Sequence, residues 1–355
     1  MKKLKIGMIG AGNIANAHLA AYKHVPEAEI AAVCDIDPVR LKMTCDAFGI
    51  PEEHRYTDVA TMLEKEKELM AADVCVWNVN HAKCAIAALN AGLHVLCEKP
   101  MAYNAKEAEE MQATAEKNGK LLMIGFVLRF SKENRIAMDF IDGGMMGDIY
   151  YTKATYLRRH GNPGGWFSDK ARSGGGPVID LGVHVIDQTR FLMGCPKPVS
   201  VYAMVSDRLG NRPALKTGVG WKPYGAKDDD VCDVEDFGAA MIRYDNGAVT
   251  MLEASYDMNG HDVGKKELYG TKGGMILSGE PQFFTEMNGY LVDVSPVTAN
   301  AKYSDDMFAN EMAHFVDCAL NGTPCLAKAE DGVWVMKILD AIYESGRTGH
   351  EVIIK

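Results

Sequence analysis

The stretch LKIGMIGAGNIA, residues 4–15, joins a short apolar strand to a glycine-rich turn and the start of a helix. This order is typical of the phosphate-binding unit of dinucleotide-binding folds. Gly10 permits the tight turn, Gly12 leaves room for the backbone to approach a pyrophosphate, and Ala15 allows close helix packing. The N-terminus of the helix favours an anion. The residues predicted to contact the dinucleotide here are Gly10, Gly12, Asn13 and Ile14.

An acidic residue, Asp35, ends the next predicted strand, EIAAVCD, 23 positions after Gly12. A carboxylate at this place binds the ribose hydroxyls of NAD and repels the 2′-phosphate of NADP. Positions 36 and 37 carry no arginine, although Arg40 is close. The cofactor predicted from Asp35 is therefore NAD.

Short apolar runs alternate with helical patterns over the first third of the chain. The runs are LKIGMIG, EIAAVCD, ADVCVWNV, HVLCEKP and LLMIGFV. Strands that alternate with helices predict right-handed crossovers and a parallel sheet covered on both faces. We therefore predict an α/β fold class, with an NAD-binding, doubly wound Rossmann domain over residues 1–125.

The pattern changes near residue 126, where strands follow one another through close turns. Asn246-Gly247 separates two alternating runs, and Gly273-Gly274 is predicted to turn the chain in the same way. We predict a second α/β domain over residues 126–355, with an open and mainly antiparallel sheet that serves substrate binding and oligomerisation. Two predicted helices close the chain and are candidates to pack back on the first domain.

Composition restricts the partners. Acidic residues outnumber basic ones 48 to 38, and this net charge of -10 argues against a nucleic-acid surface. No apolar run approaches the ~18 residues of a membrane span, and the nine cysteines contain no CxxC pair. His81 and Cys84 have ligand-like spacing without a second cluster, so we predict no metal. The expected protein is cytoplasmic, with a small polar partner, no nucleic acid and no membrane contact.

Polar residues follow two later strands, where the crevice of a parallel sheet lies. Trp77, Asn78 and Asn80 end one strand, and Glu98 and Lys99 end the next. Pro100 biases Lys99 towards an extended conformation. Glu98 is either an ion-pair partner of Lys99 or a separate contact, and ordinary loop residues or a solvated Glu-Lys turn are the alternatives. The cofactor candidates at this edge are Asn78, Asn80, His81, Glu98 and Lys99.

The stretch GGGPVIDLGVHVID, residues 174–187, interrupts an apolar run with Asp180, His184 and Asp187. In a helix these residues fall at i, i+4 and i+7, on one face. Polar groups on such a face either satisfy one another in a core or face a cleft, because burial without a partner is costly. We predict that Asp180 and His184 meet substrate, and that Asp187 supports or caps the helix.

These motifs together resemble the glucose-fructose oxidoreductase, inositol dehydrogenase and rhizopine-catabolism family, abbreviated Gfo/Idh/MocA. The likeness runs from GAGNIA through CEKP and GGGPVIDLGVHVID to VEDFGAAMIRYDNGAVTMLEAS and ELYGTKGGM, and so covers essentially the whole chain. The resemblance implies a Rossmann domain, a C-terminal α/β domain with an open sheet, and a sugar or polyol substrate at their junction. It also implies a catalytic set of Lys99, Asp180 and His184.

A mechanism follows from those three residues. Oxidation of an alcohol removes the hydroxyl proton as a hydride leaves carbon for the nicotinamide. Histidine titrates near neutral pH, so His184 is suited to accept the proton. Lys99 can stabilise alkoxide character or take the proton itself, and Asp180 orients the sugar and the imidazole. Whether Lys99 or His184 is the base stays open at this point.

The segment YLRRHGNPGGWFSDKAR leads into the predicted catalytic helix. Trp166 can cover the apolar face of a sugar, while Arg158 and Arg172 can donate to its hydroxyls. A buried tryptophan with solvated arginines is the alternative. Residues 206–236 form a long polar excursion, a candidate lid or subunit contact.

The leading hypothesis is therefore an NAD-dependent dehydrogenase of a sugar, glycoside or inositol. One alternative is an enzyme that retains NAD and uses transient oxidation for glycoside cleavage or elimination. A second alternative is a non-catalytic NAD and sugar sensor, against which the intact Lys99, Asp180 and His184 argue. The open sheet predicts a homodimer or homotetramer, since an identical face covers it most simply.

Overall fold

The structure is a computed structural model that describes residues 3–210, 212, 215–218, 220–227, 229–298 and 301–355. The chain divides into two compact units. The first unit comprises Met1–Val127 and Asp306–Val333, and the second comprises Leu128–Asp305 and Trp334–Lys355. The units are defined by contacts and not by role, so the division of function between residues 1–125 and 126–355 stays a prediction.

The regular elements of the described residues are numbered in chain order. The helices are α1 (Asn13–Tyr22), α2 (Pro38–Phe48), α3 (Val59–Lys65), α4 (His81–Asn90), α5 (Ala105–Asn118), α6 (Lys132–Asp142), α7 (Lys170–Ser173), α8 (Val183–Leu192), α9 (Met307–Asn321) and α10 (Ala329–Thr348). The strands are β1 (Leu4–Ile9), β2 (Ala28–Cys34), β3 (Arg55–Tyr56), β4 (Ala71–Val74), β5 (His94–Glu98), β6 (Leu122–Gly125), β7 (Ile149–Leu157), β8 (Pro198–Ser206), β9 (Phe237–Tyr244), β10 (Val249–Ser255), β11 (Val263–Gly270), β12 (Gly273–Leu277), β13 (Gln282–Met287), β14 (Tyr290–Val294) and β15 (Val352–Ile353).

The first unit contains a six-stranded parallel sheet in the order β3-β2-β1-β4-β5-β6. Its central strands are buried, as the continuous apolar runs predict for a sheet covered on both faces. The strand order reverses between β1 and β4, and this reversal makes the crevice in which doubly wound sheets bind ligands. The predicted Rossmann sheet is confirmed. The two-residue strand β3 was not predicted, because no apolar run marks it.

The second unit contains a nine-stranded sheet in the order β14-β13-β12-β11-β7-β10-β9-β8-β15. Neighbouring strands are antiparallel, except that β7 and β10 pair in parallel. The hairpin of β9 and β10 turns at Asn246-Gly247, where Gly247 has a φ of 86°. The predicted, mainly antiparallel second sheet is therefore confirmed, together with this hairpin.

The turn predicted at Gly273-Gly274 is wrong. Both glycines lie inside β12, and the chain turns just before them. A Cβ atom on Gly273 would stand 2.8 Å from the carbonyl oxygen of Met145 and 2.9 Å from that of Phe284. The glycine therefore serves close backbone packing, which is the other common reason for glycine in a strand.

None of the described helices is both long and apolar enough to cross a membrane. The nine cysteines all lie in the described ranges and are free thiols.

Candidate active site

The glycine-rich turn after β1 has the geometry of a phosphate cradle. Gly10 adopts a φ of 109°, and a Cβ there would lie 2.2 Å from the carbonyl oxygen of Cys75, so this position requires glycine. Gly12 precedes α1, and an added Cβ would meet nothing within 4 Å. Asn13 is exposed and Ile14 half-buried in the first turn of the helix. The open space at a helix N-terminus fits the pyrophosphate of a dinucleotide.

Asp35 is anchored beside this cradle. Its Oδ2 atom accepts the Ala11 N–H at 2.7 Å, and its Oδ1 atom accepts the Asp37 N–H at 2.8 Å. A carboxylate held in this way still has lone pairs for ribose hydroxyls. The guanidinium of Arg40 pairs with the Asp37 carboxylate, with Nη2 3.7 Å from Oδ2. This carboxylate would compete with the 2′-phosphate of NADP for the guanidinium. The residues present therefore fit NAD.

The residues after β4 form a short 3₁₀ turn that leads into α4. Asn78 is buried in this turn, and Asn80 is half-buried. The His81 ring is buried, with Nδ1 2.7 Å from the carbonyl oxygen of Pro100 and Nε2 3.1 Å from that of Val76. Burial lowers the pKa of His81. The ring thus lies between the segments that follow β4 and β5, and a contact of these three residues with the cofactor stays a prediction.

Lys99 directly follows β5 and is half-buried, and its peptide bond to Pro100 is cis. Glu98 is buried, and its Oε2 atom accepts the Lys99 backbone N–H at 3.0 Å. Its Oε1 atom lies 3.1 Å from His18 Nε2. The sequence left the partner of Glu98 open, and the structure gives its carboxylate two partners inside the first unit.

Asp180 and His184 are distinguished from their neighbours by exposure. From Gly175 to Arg190, a stretch that the structure describes throughout, these two are the residues that are not buried. Asp180 lies in a π-helical turn, Val178–Gly182, which continues into α8. Turns of this type often occur at functional sites. The two side chains therefore stand on the accessible side of an otherwise buried helix in the second unit.

Asp187 has a different environment, although it continues the same spacing. It is 1% exposed and accepts from Arg129 Nε at 3.0 Å and Nη2 at 2.6 Å. Arg129 is fully buried, and its guanidinium lies 4.6 Å from the centre of the Phe191 ring. This bidentate pair makes Asp187 a structural residue that fastens α8 to the segment before α6.

Tyr256 is a residue of the site that the sequence did not reveal. Its hydroxyl donates to Asp180 Oδ2 at 2.8 Å from a fully buried ring. Burial and the charge of Asp180 raise the pKa of Tyr256 well above its usual range, so the phenol stays a neutral donor. Burial opposes the charge on Arg158, but hydrogen bonding to Tyr156 and the field of Asp180 raise the pKa of Arg158 overall. Asp180 is therefore held by a buried donor, and its charge acts on the Arg158 guanidinium.

The run of three glycines before the helix has a packing cause. Glu235 accepts the Gly176 N–H at 2.9 Å, the Val178 N–H at 3.1 Å and the Tyr343 hydroxyl at 2.8 Å. A Cβ on Gly175 would lie 2.0 Å from that same hydroxyl. Burial raises the pKa of Glu235. The absence of side chains at these glycines thus leaves room for the Glu235 carboxyl and the Tyr343 phenol. These two groups hold the start of the helix that carries Asp180 and His184.

The remaining substrate candidates lie on less constrained segments. The Trp166 ring is half-buried and packs 4.0 Å from the Phe167 ring. Arg172 is exposed on α7 and pairs with Asp169 at 3.0 Å. Arg158 donates to the Gly161 carbonyl at 3.1 Å. Substrate contact by these residues stays a prediction, and the excursion over 206–236 lies partly outside the described residues, at 211, 213, 214, 219 and 228.

Two family models match the chain. The model described as an oxidoreductase family with an NAD-binding Rossmann fold matches residues 4–126, and the Gfo/Idh/MocA C-terminal domain matches residues 135–276. The chain is 31% identical to D-glucoside 3-dehydrogenase of Escherichia coli (strain K12) over 98% of this chain and 97% of that protein.

Two further similarities involve levoglucosan dehydrogenases. The chain is 29% identical to the enzyme of Pseudarthrobacter phenanthrenivorans over 79% of this chain and 75% of that one. A solved levoglucosan dehydrogenase in complex with NADH superimposes with a TM-score of 0.86 and 25% identity, and the match covers all of both chains. Both matched models, the full-length relative and the glycine cradle with Asp35 agree, and the chain belongs to the Gfo/Idh/MocA family of NAD-dependent oxidoreductases.

Proposed function

We propose that this oxidoreductase oxidises a secondary hydroxyl of a sugar, with a glycoside as the first candidate, and that NAD is the acceptor. The observation that carries the proposal is the exposure of Asp180 and His184 on an otherwise buried helix, with Tyr256 bonded to Asp180. The choice of a glycoside is supported by the full-length similarity to D-glucoside 3-dehydrogenase and by the similarity to levoglucosan dehydrogenase.

The residues of the first unit hold the cofactor in this proposal. Gly10, Gly12, Asn13 and Ile14 receive the pyrophosphate, and Asp35 binds the ribose hydroxyls. When bound, NAD supplies the acceptor for the hydride. Lys99 approaches the substrate oxygen and counters the negative charge that develops there.

Asp180 and His184 complete the proposed catalytic set. The Asp180 carboxylate accepts a hydrogen bond from a sugar hydroxyl, while Tyr256 fixes its orientation. His184 and Lys99 share the two remaining tasks, proton removal and stabilisation of the oxygen.

The experiment that tests the proposal follows NADH formation by its near-ultraviolet absorbance. Purified protein is mixed with NAD, or separately NADP, and with methyl β-D-glucoside, levoglucosan, D-glucose or myo-inositol. The cofactor content of the protein is recorded beforehand. We expect a steady rise with NAD and a glycoside and a much smaller rise with NADP, because Asp35 repels the 2′-phosphate. Consumption of glycoside without net NADH would instead favour the retained-cofactor reaction, and the absence of any turnover would favour a sensor.

Oligomerisation is the second part of the proposal. One face of the second sheet carries exposed apolar side chains, and Tyr202, Met241 and Met251 stand in register across β8, β9 and β10. Met204 extends the same patch along β8. An apolar patch on an open sheet is typical of a subunit interface, and a two-fold axis lets identical patches cover each other. We therefore propose a homodimer, or a tetramer of dimers, formed through this face.

Replacement of Met241 by glutamate tests this interface. We expect light scattering to give the wild type a multiple of 38.8 kDa and the variant a mass closer to 38.8 kDa, because a buried carboxylate would be desolvated in the interface. Met287→Glu is the matched control, since Met287 is also exposed but lies on β13. A monomeric wild type, or equal dissociation by both variants, would contradict the proposed face.

A further inference from the structure

A group of ionisable side chains is buried in the first unit next to Lys99. His18 of α1 and Asp73 of β4 are fully buried, and Glu98 at the end of β5 is 5% exposed. His18 Nδ1 lies 2.9 Å from Asp73 Oδ2, and His18 Nε2 lies 3.1 Å from Glu98 Oε1. We call these three residues the buried triad.

The geometry of the triad favours a protonated His18 ring. Both ring nitrogens face carboxylate oxygens, and ionised carboxylates only accept hydrogen bonds, so an imidazolium with two N–H groups satisfies both. Burial disfavours the charged ring, but the interactions of the ring with Cys75 and Asp73 together outweigh that penalty and hold the pKa of His18 well above its usual range. His18, Asp73 and Cys75 are residue types that can bind a metal ion, and their ligand atoms lie close together. Both imidazole nitrogens of His18, however, already contact the carboxylates of the triad.

The groups around the triad are mostly neutral donors. The Tyr22 hydroxyl donates to Asp73 Oδ2 at 3.0 Å, and the Cys75 thiol donates to Asp73 Oδ1 at 3.3 Å. Burial raises the pKa of both groups, so neither adds a charge near neutral pH. From α9, the Phe308 ring lies 5.8 Å from the His18 ring, and the buried Glu311 adds a carboxyl that acts on Tyr22. His18 is therefore the cation of this cluster.

The triad connects directly to the backbone of Lys99. Glu98 uses Oε1 for His18 and Oε2 for the Lys99 N–H, so both oxygens of one carboxylate are engaged. On the other side, a Cβ on Gly125 would lie 2.9 Å from Glu98 Oε1. The Glu98 side chain is thus confined between α1 and β6, and a shift of His18 would release it.

The stability of the fold does not by itself account for an ionic triad here. Removal of three charged groups from water is costly, and apolar residues of similar volume often stabilise a core equally well or better. We propose that His18 is a positioning residue: it bridges Asp73 and Glu98, fixes the carboxylate that binds the Lys99 N–H, and so orients the Lys99 side chain. This inference rests on the proposed function in one respect, the catalytic role of Lys99.

A double-mutant cycle tests the inference with the glycoside assay described above. We expect His18→Gln to lower kcat by about 10- to 100-fold, the range expected when a catalytic group is misplaced. The sugar KM and the NADH Kd, measured by fluorescence titration, should change much less. In a Lys99→Ala background the same substitution should cost nothing further, because coupled residues are not additive. An unchanged kcat in folded His18→Gln, or a full additional loss beside Lys99→Ala, would overturn the proposal.

His54→Gln is the matched control. His54 Nδ1 lies 2.7 Å from Glu66 Oε1, and the Tyr56 hydroxyl also donates to this carboxylate, so the pair repeats the chemistry of the triad in the same unit. It has no hydrogen bond to the β5 end in the described residues. We expect the control to keep the wild-type kcat.

A second measurement is independent of turnover and of the His18 variant's folding. Hydrogen exchange of the peptide 94–103, resolved to single residues, reports the Lys99 amide. We expect faster exchange in Glu98→Leu and near wild-type exchange in Glu98→Gln, whose amide oxygen still accepts the N–H. Equal exchange in both variants would overturn the link from Glu98 to Lys99. A fully active Lys99→Ala would instead refute the catalytic role of Lys99, while the exchange data would still decide whether the triad holds this backbone.

Discussion

Replacement of His184 by asparagine is expected to lower kcat for glycoside oxidation by about 10²- to 10⁴-fold, the usual contribution of a general acid or base. Asparagine keeps the approximate size and polarity of the side chain but cannot accept the hydroxyl proton. The sugar KM should change less than kcat, because proton transfer belongs to the transition state. The measurement is the initial rate of NADH formation at saturating NAD, with the thermal unfolding midpoint recorded in parallel.

The control for this prediction is His261→Asn, since His261 is exposed and lies just before β11. It should keep the wild-type rate. The variant Asp180→Asn tests the other candidate on the same helix, because it removes the negative charge that Tyr256 orients. We expect it to lower kcat less than His184→Asn does and to raise the sugar KM. A His184→Asn protein with the wild-type kcat would contradict the assigned role.

Asp187→Ala is expected to have the opposite signature, a large loss of stability. Removal of one partner from a buried ion pair leaves an uncompensated charge and costs about 3–5 kcal/mol. Here Arg129 is fully buried and loses its bidentate carboxylate. We expect the free energy of unfolding, measured by urea denaturation, to fall by about this amount.

The control separates the pair from the packing of its residues. In the double variant Arg129→Met/Asp187→Leu both charges are gone, so the loss of stability should be smaller than in Asp187→Leu alone. Equal losses in the single and double variants would show that the ion pair does not explain the role of Asp187. The free energy of unfolding and kcat are compared between Asp187→Ala and Asp180→Asn, seven positions earlier. We expect the first variant to lose mainly stability and the second mainly activity.

The cofactor cradle was predictable because its parts are close in sequence and its geometry is set by backbone sterics. Gly10 turns the chain where a Cβ would strike the Cys75 carbonyl, and Asp35 lies one strand later, where it accepts the Ala11 N–H. The alternating runs also predicted the parallel and antiparallel sheets. The turn at Gly273-Gly274 was mispredicted because a glycine that admits a neighbouring backbone looks the same in sequence as one that turns the chain.

The candidate site was predictable only in part. The spacing of Asp180, His184 and Asp187 placed all three on one helical face, yet two are accessible and the third is buried against Arg129, 58 positions away. Tyr256 lies 76 positions from Asp180 and carries no local signal. Helical periodicity states which residues share a face, but it does not state what packs against each part of that face.

The sequence by itself therefore determined the two sheets and the cofactor, because these depend on short-range periodicity, turn geometry and motif spacing. Only the tertiary structure decided which polar residues are accessible and which are locked in buried networks. His18 reads in sequence as an ordinary helical residue, and its two carboxylates come from positions 55 and 80 residues away. Burial and hydrogen-bond partners arise when distant segments pack together, and this packing sets the charge and the role of each group.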